Sequence, residues 1–208
     1  MSQPTSLASA EFISEAEYLA REKDAPFKSE YFNGQIFAMA GGSPTHARLG
    51  ITIGRACEAA LEKGPCNAFN SELKVRTPGS GLYTYPDVTI VCGELEYADS
   101  DRSVITNPVV IFEVLSESTE AYDRGEKFNH YKSIKTLQAY VLVSQWEPRV
   151  EVLSRKPTGT GWDYDDANGL ESLIAIPPLQ ITLKLADIYN KVELSPRPVR
   201  VHKAAAKS

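Results

Sequence analysis

Hydrophobic and polar positions recur regularly enough along the chain to divide it into elements before any chemistry is considered. Ser14-Glu15-Ala16-Glu17 has the form of a capping box, so a first helix is predicted over about residues 14–21. Tyr31-Phe32-Asn33-Gly34-Gln35-Ile36-Phe37 sets Asn-Gly between apolar flanks, the pattern of a two-residue hairpin, which puts Glu30 on its first arm. Ser43-Pro44 opens a long helix whose apolar residues recur at Leu49, Ile53, Cys57, Ala60 and Leu61, and which stops near Lys63-Gly64-Pro65. Residues 68–76, 84–91 and 109–115 read as three core strands. Phe128, Tyr131 and Ile134 then fall at helical spacing within 123–134, ahead of another apolar strand at 138–143. Strands at 149–153, 162–164 and 173–176 and a short helix at 185–189 complete the pattern, and the chain from Ser195 on is basic.

Composition narrows the picture without deciding it. The 208 residues, 42% hydrophobic and 24% charged, suit one domain over 12–190, with flexible ends at 1–11 and 191–208. No apolar stretch approaches the roughly 20 residues of a membrane span, and the N-terminus lacks a signal segment, so a cytoplasmic protein with no membrane contact is expected. A net charge of -5 argues against a protein that coats nucleic acid generally, while saying little about a local groove. Cys57, Cys66 and Cys92 form no CxxC pair and are expected as reduced, partly buried thiols.

The chemistry concentrates on two acids. Asp87 and Glu113 each sit in an apolar run that reads as a buried strand, where an ionised carboxylate needs a partner or a cation. Adjacent strands would set them side by side, a donor pair suited to a hard divalent ion such as Mg²⁺, whose bound water can attack a phosphodiester. Glu30 is a possible third oxygen ligand. Lys127, with Tyr131 one helical turn on, can bring an ammonium and a phenol to the same place. Asp123 is read first as an acidic helix cap and second as support for the site; His46, in the first turn of its helix, is read as a minor candidate. Ser116 and Ser118 assemble into no nucleophilic triad.

Taken in order, Glu30 with Asn33-Gly34, the Ser-Pro-x-His of 43–46, Pro86-Asp87-Val88, the run Glu113-Val114-Leu115-Ser116-Glu117-Ser118-Thr119 and Asp123-x-x-x-Lys127-x-x-x-Tyr131 resemble the bacterial Uma-two family of restriction endonucleases, within the PD-(D/E)XK nuclease superfamily. The resemblance covers about residues 12–189. It implies an α/β (α+β) restriction-endonuclease-like core: a central mixed sheet flanked by helices, with an N-terminal helix and hairpin. It further implies Mg²⁺-dependent cleavage of nucleic acid, DNA in the first instance, with Mn²⁺ able to substitute. Asp87, Glu113 and Glu30 would hold the metal, and Glu30 would match the first-motif carboxylate. Nucleases of this class often act as dimers, so a homodimer is expected. The superfamily expects Glu-x-Lys where this chain has Glu113-Val114-Leu115, which leaves Lys127 as a migrated catalytic lysine. A nuclease-fold module that binds nucleic acid or a protein without cutting is the alternative.

Overall fold

Two β-sheets organise the chain, which crosses between them beside the candidate acids. In the computed structural model, which describes residues 12–39, 41–98, 100 and 102–197, α1 (Glu15–Lys23) begins as its capping box requires, with Ser14 Oγ accepting the Glu17 N–H at 3.2 Å. The hairpin follows as β1 (Ser29–Phe32) and β2 (Gln35–Ala38). Asn33 and Gly34, at φ 48° and 82°, both occupy the left-handed region that its tight turn demands. In α2 (Pro44–Leu61) Ser43 Oγ caps the His46 N–H at 3.1 Å. Leu49, Ile53, Cys57 and Leu61 are buried, but Ala60 is exposed and the inward place goes instead to Thr52, which donates to the Ile188 carbonyl.

Two of the three predicted core strands are each divided. Residues 68–76 split into β3 (Cys66–Asn70) and β4 (Lys74–Arg76), because Asn70 Oδ1 takes the Glu72 N–H at 3.0 Å and turns the chain. Residues 84–91 split into β5 (Tyr83–Thr84) and β6 (Val88–Cys92) around Pro86, which has no N–H for a ladder. In both cases the halves join different sheets. With β7 (Val104–Ile105), one sheet runs β2-β1-β5-β4-β7. With β8 (Val110–Leu115), β9 (Ala139–Ser144), β10 (Arg149–Arg155) and β11 (Trp162–Asn168), the other runs β11-β10-β9-β8-β6-β3. Only β8 and β9 pair parallel in that larger sheet, so it is mixed, as expected. A separate pair, β12 (Leu173–Ile176) and β13 (Ile181–Lys184), precedes a short helix, α5 (Leu185–Ile188).

Strand β8 is buried on both faces, and its alternation sorts the two cores. Val110, Phe112 and Val114 pack with Leu49, Ile53 and Cys57 of α2, while Ile111 and Leu115 pack with Phe128, Tyr131 and Ile134. Phe128 and Tyr131 belong to a helical segment built as α3 (Glu120–Tyr122), one π-helical turn (Asp123–Lys127) and α4 (Phe128–Tyr131), and Ile134 follows it. A third cluster docks α1 on the smaller sheet, with Tyr18 stacked on Tyr31 at 5.0 Å between ring centroids.

The cysteines depart from expectation. Cys66 and Cys92 face each other across β3 and β6 and are joined as a disulfide, a pairing set by long-range strand register; Cys57 is a buried thiol. No helix among the described residues is long and apolar enough to cross a membrane. The proposed flexible N-terminus and the tail from 198 lie outside the described residues; nearer the domain, the Ser195 N–H donates to the Gln145 carbonyl at 3.0 Å.

Candidate active site

Strands β6 and β8 pair antiparallel with Val88 opposite Phe112, and one further step along that register sets Asp87 across from Glu113. Asp87 is therefore the residue just before β6 rather than a residue within a strand. Its position is fixed from the neighbouring strand, because Asp87 Oδ2 accepts the Val114 N–H at 2.7 Å. His46 reaches the same oxygen from the first turn of α2, with Nε2 at 3.3 Å. Glu113 points from β8 toward the π-helical turn, where its Oε1 meets Lys127 Nζ at 2.8 Å and accepts from Tyr131 OH at 2.8 Å.

Lys127 gathers the remaining acids. Its ammonium lies 3.4 Å from Glu30 Oε1 and 3.6 Å from Asp123 Oδ1, and Thr84 donates to Glu30 from β5. Lys127, Glu30 and Asp123 border a cleft of about 520 Å³ that Gln145, Tyr122 and Gly42 also line. Ser116 and Ser118 also line it, and Ser116 is hydrogen-bonded to both Ser118 and Thr119. Asp123 overturns the cap reading: the helix begins upstream at Glu120, and the buried Asp123 carboxylate faces Lys127 from inside the segment.

Burial and crowding of like charge set the electrostatics. Burial pushes the Glu113 carboxyl well up, the charges of Asp87 and Asp123 add to it, and the Lys127 ammonium opposes it. Asp123 is raised first by burial too, with Lys127 and a hydrogen bond from Thr119 holding it back. Burial alone would discharge Lys127, yet Glu113, Glu30 and Asp123 together keep its pKa well above the usual lysine value. Burial likewise disfavours a charged His46, but its hydrogen bond to Asp87 and the charges of Asp87, Glu113 and Asp123 raise its pKa overall.

The Uma2 pattern, described as "Putative restriction endonuclease", matches residues 15–186. The chain belongs to the Uma2 family. An uncharacterized protein of Synechocystis sp. (strain ATCC 27184 / PCC 6803 / Kazusa), sll1609, is 36% identical over 145 residues, covering 70% of this chain and 82% of its own. A second from the same organism, slr1290, is 38% identical over 147 residues, covering 71% and 76%. A solved structure described as a putative nuclease belonging to DUF820, from Anabaena variabilis ATCC 29413, superposes with a TM-score of 0.65 over 84% of this chain and 96% of that one. At 16% identity that likeness establishes a shared α+β fold and nothing finer.

In this Uma2 chain the geometry gathers Asp87, Glu113, Glu30, Lys127, His46 and Asp123 around one cleft, with Tyr131 buried behind Glu113. Leu115, where the superfamily expects lysine, is 1% exposed and packed in the second hydrophobic cluster. Sequence reasoning missed Thr84 and Gln145. Thr84 carries no motif, but a β-branched hydroxyl residue two positions from Pro86-Asp87 was a usable signal; for Gln145 there was none.

Proposed function

We propose that this Uma2-family chain is a metal-dependent endonuclease that hydrolyses phosphodiester bonds of DNA, using Mg²⁺ or Mn²⁺ held by Asp87 and Glu113. The observation that carries the reading is the carboxylate pair: one acid within β8 and one just before its partner β6, held to β8 by the Val114 N–H, both bordering a cleft, with a buried ammonium 2.8 Å from Glu113. The donor chemistry fits the ion. Glu113 spends its shortest contacts on Oε1 and Asp87 on Oδ2, so Oε2 and Oδ1 are the less engaged oxygens. Among the described residues no group of three or more His, Cys, Asp or Glu side chains is gathered as a metal site. Mg²⁺ does not require one, because it commonly binds through one or two carboxylates and completes its shell with water and substrate phosphate.

When bound, such an ion would lower the pKa of a coordinated water and offset charge on the phosphate. The protein's own groups supply the rest. Glu113 and Asp87 are oriented by Tyr131, His46 and the Val114 N–H before any ligand arrives. Lys127 holds a positive charge beside Glu113, where it can steady an attacking water and the charge that develops on phosphorus-bound oxygen. Glu30 is placed to orient water or to complete the oxygen set. Two cuts are needed for a duplex, so we assign the working form as a homodimer.

The test is cleavage of supercoiled plasmid and of single-stranded DNA by purified protein with Mg²⁺, Mn²⁺ or EDTA, with Asp87→Ala run alongside. Cutting that needs metal and vanishes in the variant is the expected result. Equal cutting by the variant removes the site. No cutting and no calorimetric metal binding removes the enzyme in favour of a binding module.

A further inference from the structure

Gln145 follows β9 directly, and the chemistry above gives it no task. It is 6% exposed and borders the same cleft as Asp87, Glu113 and Lys127. Ser43 Oγ accepts the His46 N–H at 3.1 Å and donates its own hydrogen to Gln145 Oε1, 3.0 Å away. Oε1 is thereby spent as an acceptor, and the side chain presents Nε2, which carries two hydrogens and has no partner among the described residues.

Ser43 also caps α2, an 18-residue helix whose N-terminal end borders the cleft through Gly41, Gly42, Ser43 and His46. A Cβ added at Gly41 would meet nothing within 4 Å, so the approach to that end of the helix is open. Pro44 brings no N–H to this end and Ser43 caps that of His46, so an anion is favoured here chiefly by the aligned peptide dipoles. Two features, an amide donor with no partner among the described residues on a side chain 6% exposed and a long helix's positive end, therefore address the same space.

We infer that Gln145 Nε2 and the N-terminal end of α2 form an anion subsite that holds a backbone phosphate of the nucleic acid beside the Asp87–Glu113 pair. The identity of the anion rests on the nuclease reading. The surrounding charge explains why uncharged donors serve here. An arginine or lysine at position 145 would be drawn to Asp87, Glu113 or Asp123 and would neutralise them; an amide and a helix end can hold a phosphate without competing for the carboxylates.

A purely structural Gln145 would tie the end of β9 to the cap of α2 and affect stability alone. The two roles separate in one experiment on the full chain. The Gln145 side-chain amide signals are assigned in ¹⁵N-labelled protein by their loss in Gln145→Glu, then followed during titration with thymidine 3′,5′-bisphosphate, with Ca²⁺ and with EDTA. Saturable movement of those signals is expected. In plasmid cleavage, Gln145→Glu should raise KM roughly 10- to 100-fold whatever its effect on the melting temperature, as loss of hydrogen bonds to a charged group implies. Unmoved signals with unaltered KM, or a lowered melting temperature with unaltered KM, overturn the subsite. If the wild type cuts nothing while its signals still move, the subsite stands and the nuclease reading fails; if it cuts while the signals stay still, the reverse holds.

Discussion

Lys127 Nζ lies 2.8 Å from Glu113 Oε1, a helical ammonium pressed onto a strand carboxylate with both side chains buried. Removing one member of such a group strands the other members' charge, at a cost of about 3–5 kcal/mol. Lys127→Met should therefore melt well below the wild type in EDTA, and Mg²⁺ should restore more of that loss than it adds to the wild type. Cutting should fall roughly 10²- to 10³-fold, the scale of losing one preorganised electrostatic group. Calorimetric melting with and without metal checks the first part; equal melting temperatures would make Lys127 a bystander.

Metal removal gives a second expectation. A ligand that binds only the folded state stabilises it by about 2.7 kcal/mol at a hundred times its Kd. Mg²⁺ should raise the melting temperature of the wild type, and Asp87→Asn should abolish the increase while keeping the fold, since an amide oxygen can still accept the Val114 N–H. A metal-dependent shift of the same size in the variant would place the ion elsewhere.

A third prediction concerns pH and the mooring of α1. Glu15 accepts from Arg76 Nε and Nη2, each at 3.1 Å, and from Tyr83 OH at 2.6 Å. Burial pushes its carboxyl up, but the bonds and charge from Arg76 and Tyr83 outweigh that and hold its pKa below the usual value. A lowered pKa in the fold means stability that is present above the unfolded value, near 4.5, and lost as pH falls through the folded one. Glu15→Gln should therefore lower the melting temperature at pH 7 and converge on the wild type near pH 3; a pH-independent gap would count against the ion pair.

The cysteines supply a fourth. The bond from Cys66 to Cys92 closes a sequence separation of 26 residues, and a cross-link over a loop of that order stabilises by about 2–4 kcal/mol through the unfolded chain. Cys66→Ser with Cys92→Ser, or a strong reductant, should lower the melting temperature accordingly. Thiol titration of the unfolded wild type without reductant should count one free group, that of Cys57; three would show that the pair is not bonded.

Local signals in the sequence found the parts whose causes are local. Ser14, Asn33-Gly34 and Ser43-Pro44 announced α1, the hairpin and α2 because caps and tight turns are decided within a few residues. The Asp87 and Glu113 pairing was legible because an acid at a buried strand is conspicuous. Asp123 was misread as a cap because helical spacing does not reveal that the segment starts at Glu120 and takes a π-helical turn. Cys66 with Cys92, and Gln145 with Ser43, depend on strand and helix placements far apart in the chain, which no short window contains.

Glu30 hangs from the smaller sheet and Glu113 from the larger, so the ammonium of Lys127 closes a seam between the two layers. The backbone crosses the same seam at Tyr85-Pro86-Asp87, and Tyr85 is tethered there by its hydroxyl bond to Glu22 of α1, 2.8 Å long. The wall of the cleft is thus also a clasp. One ammonium therefore holds an acid from each layer, so the residue that faces the cleft is also a rivet between the sheets.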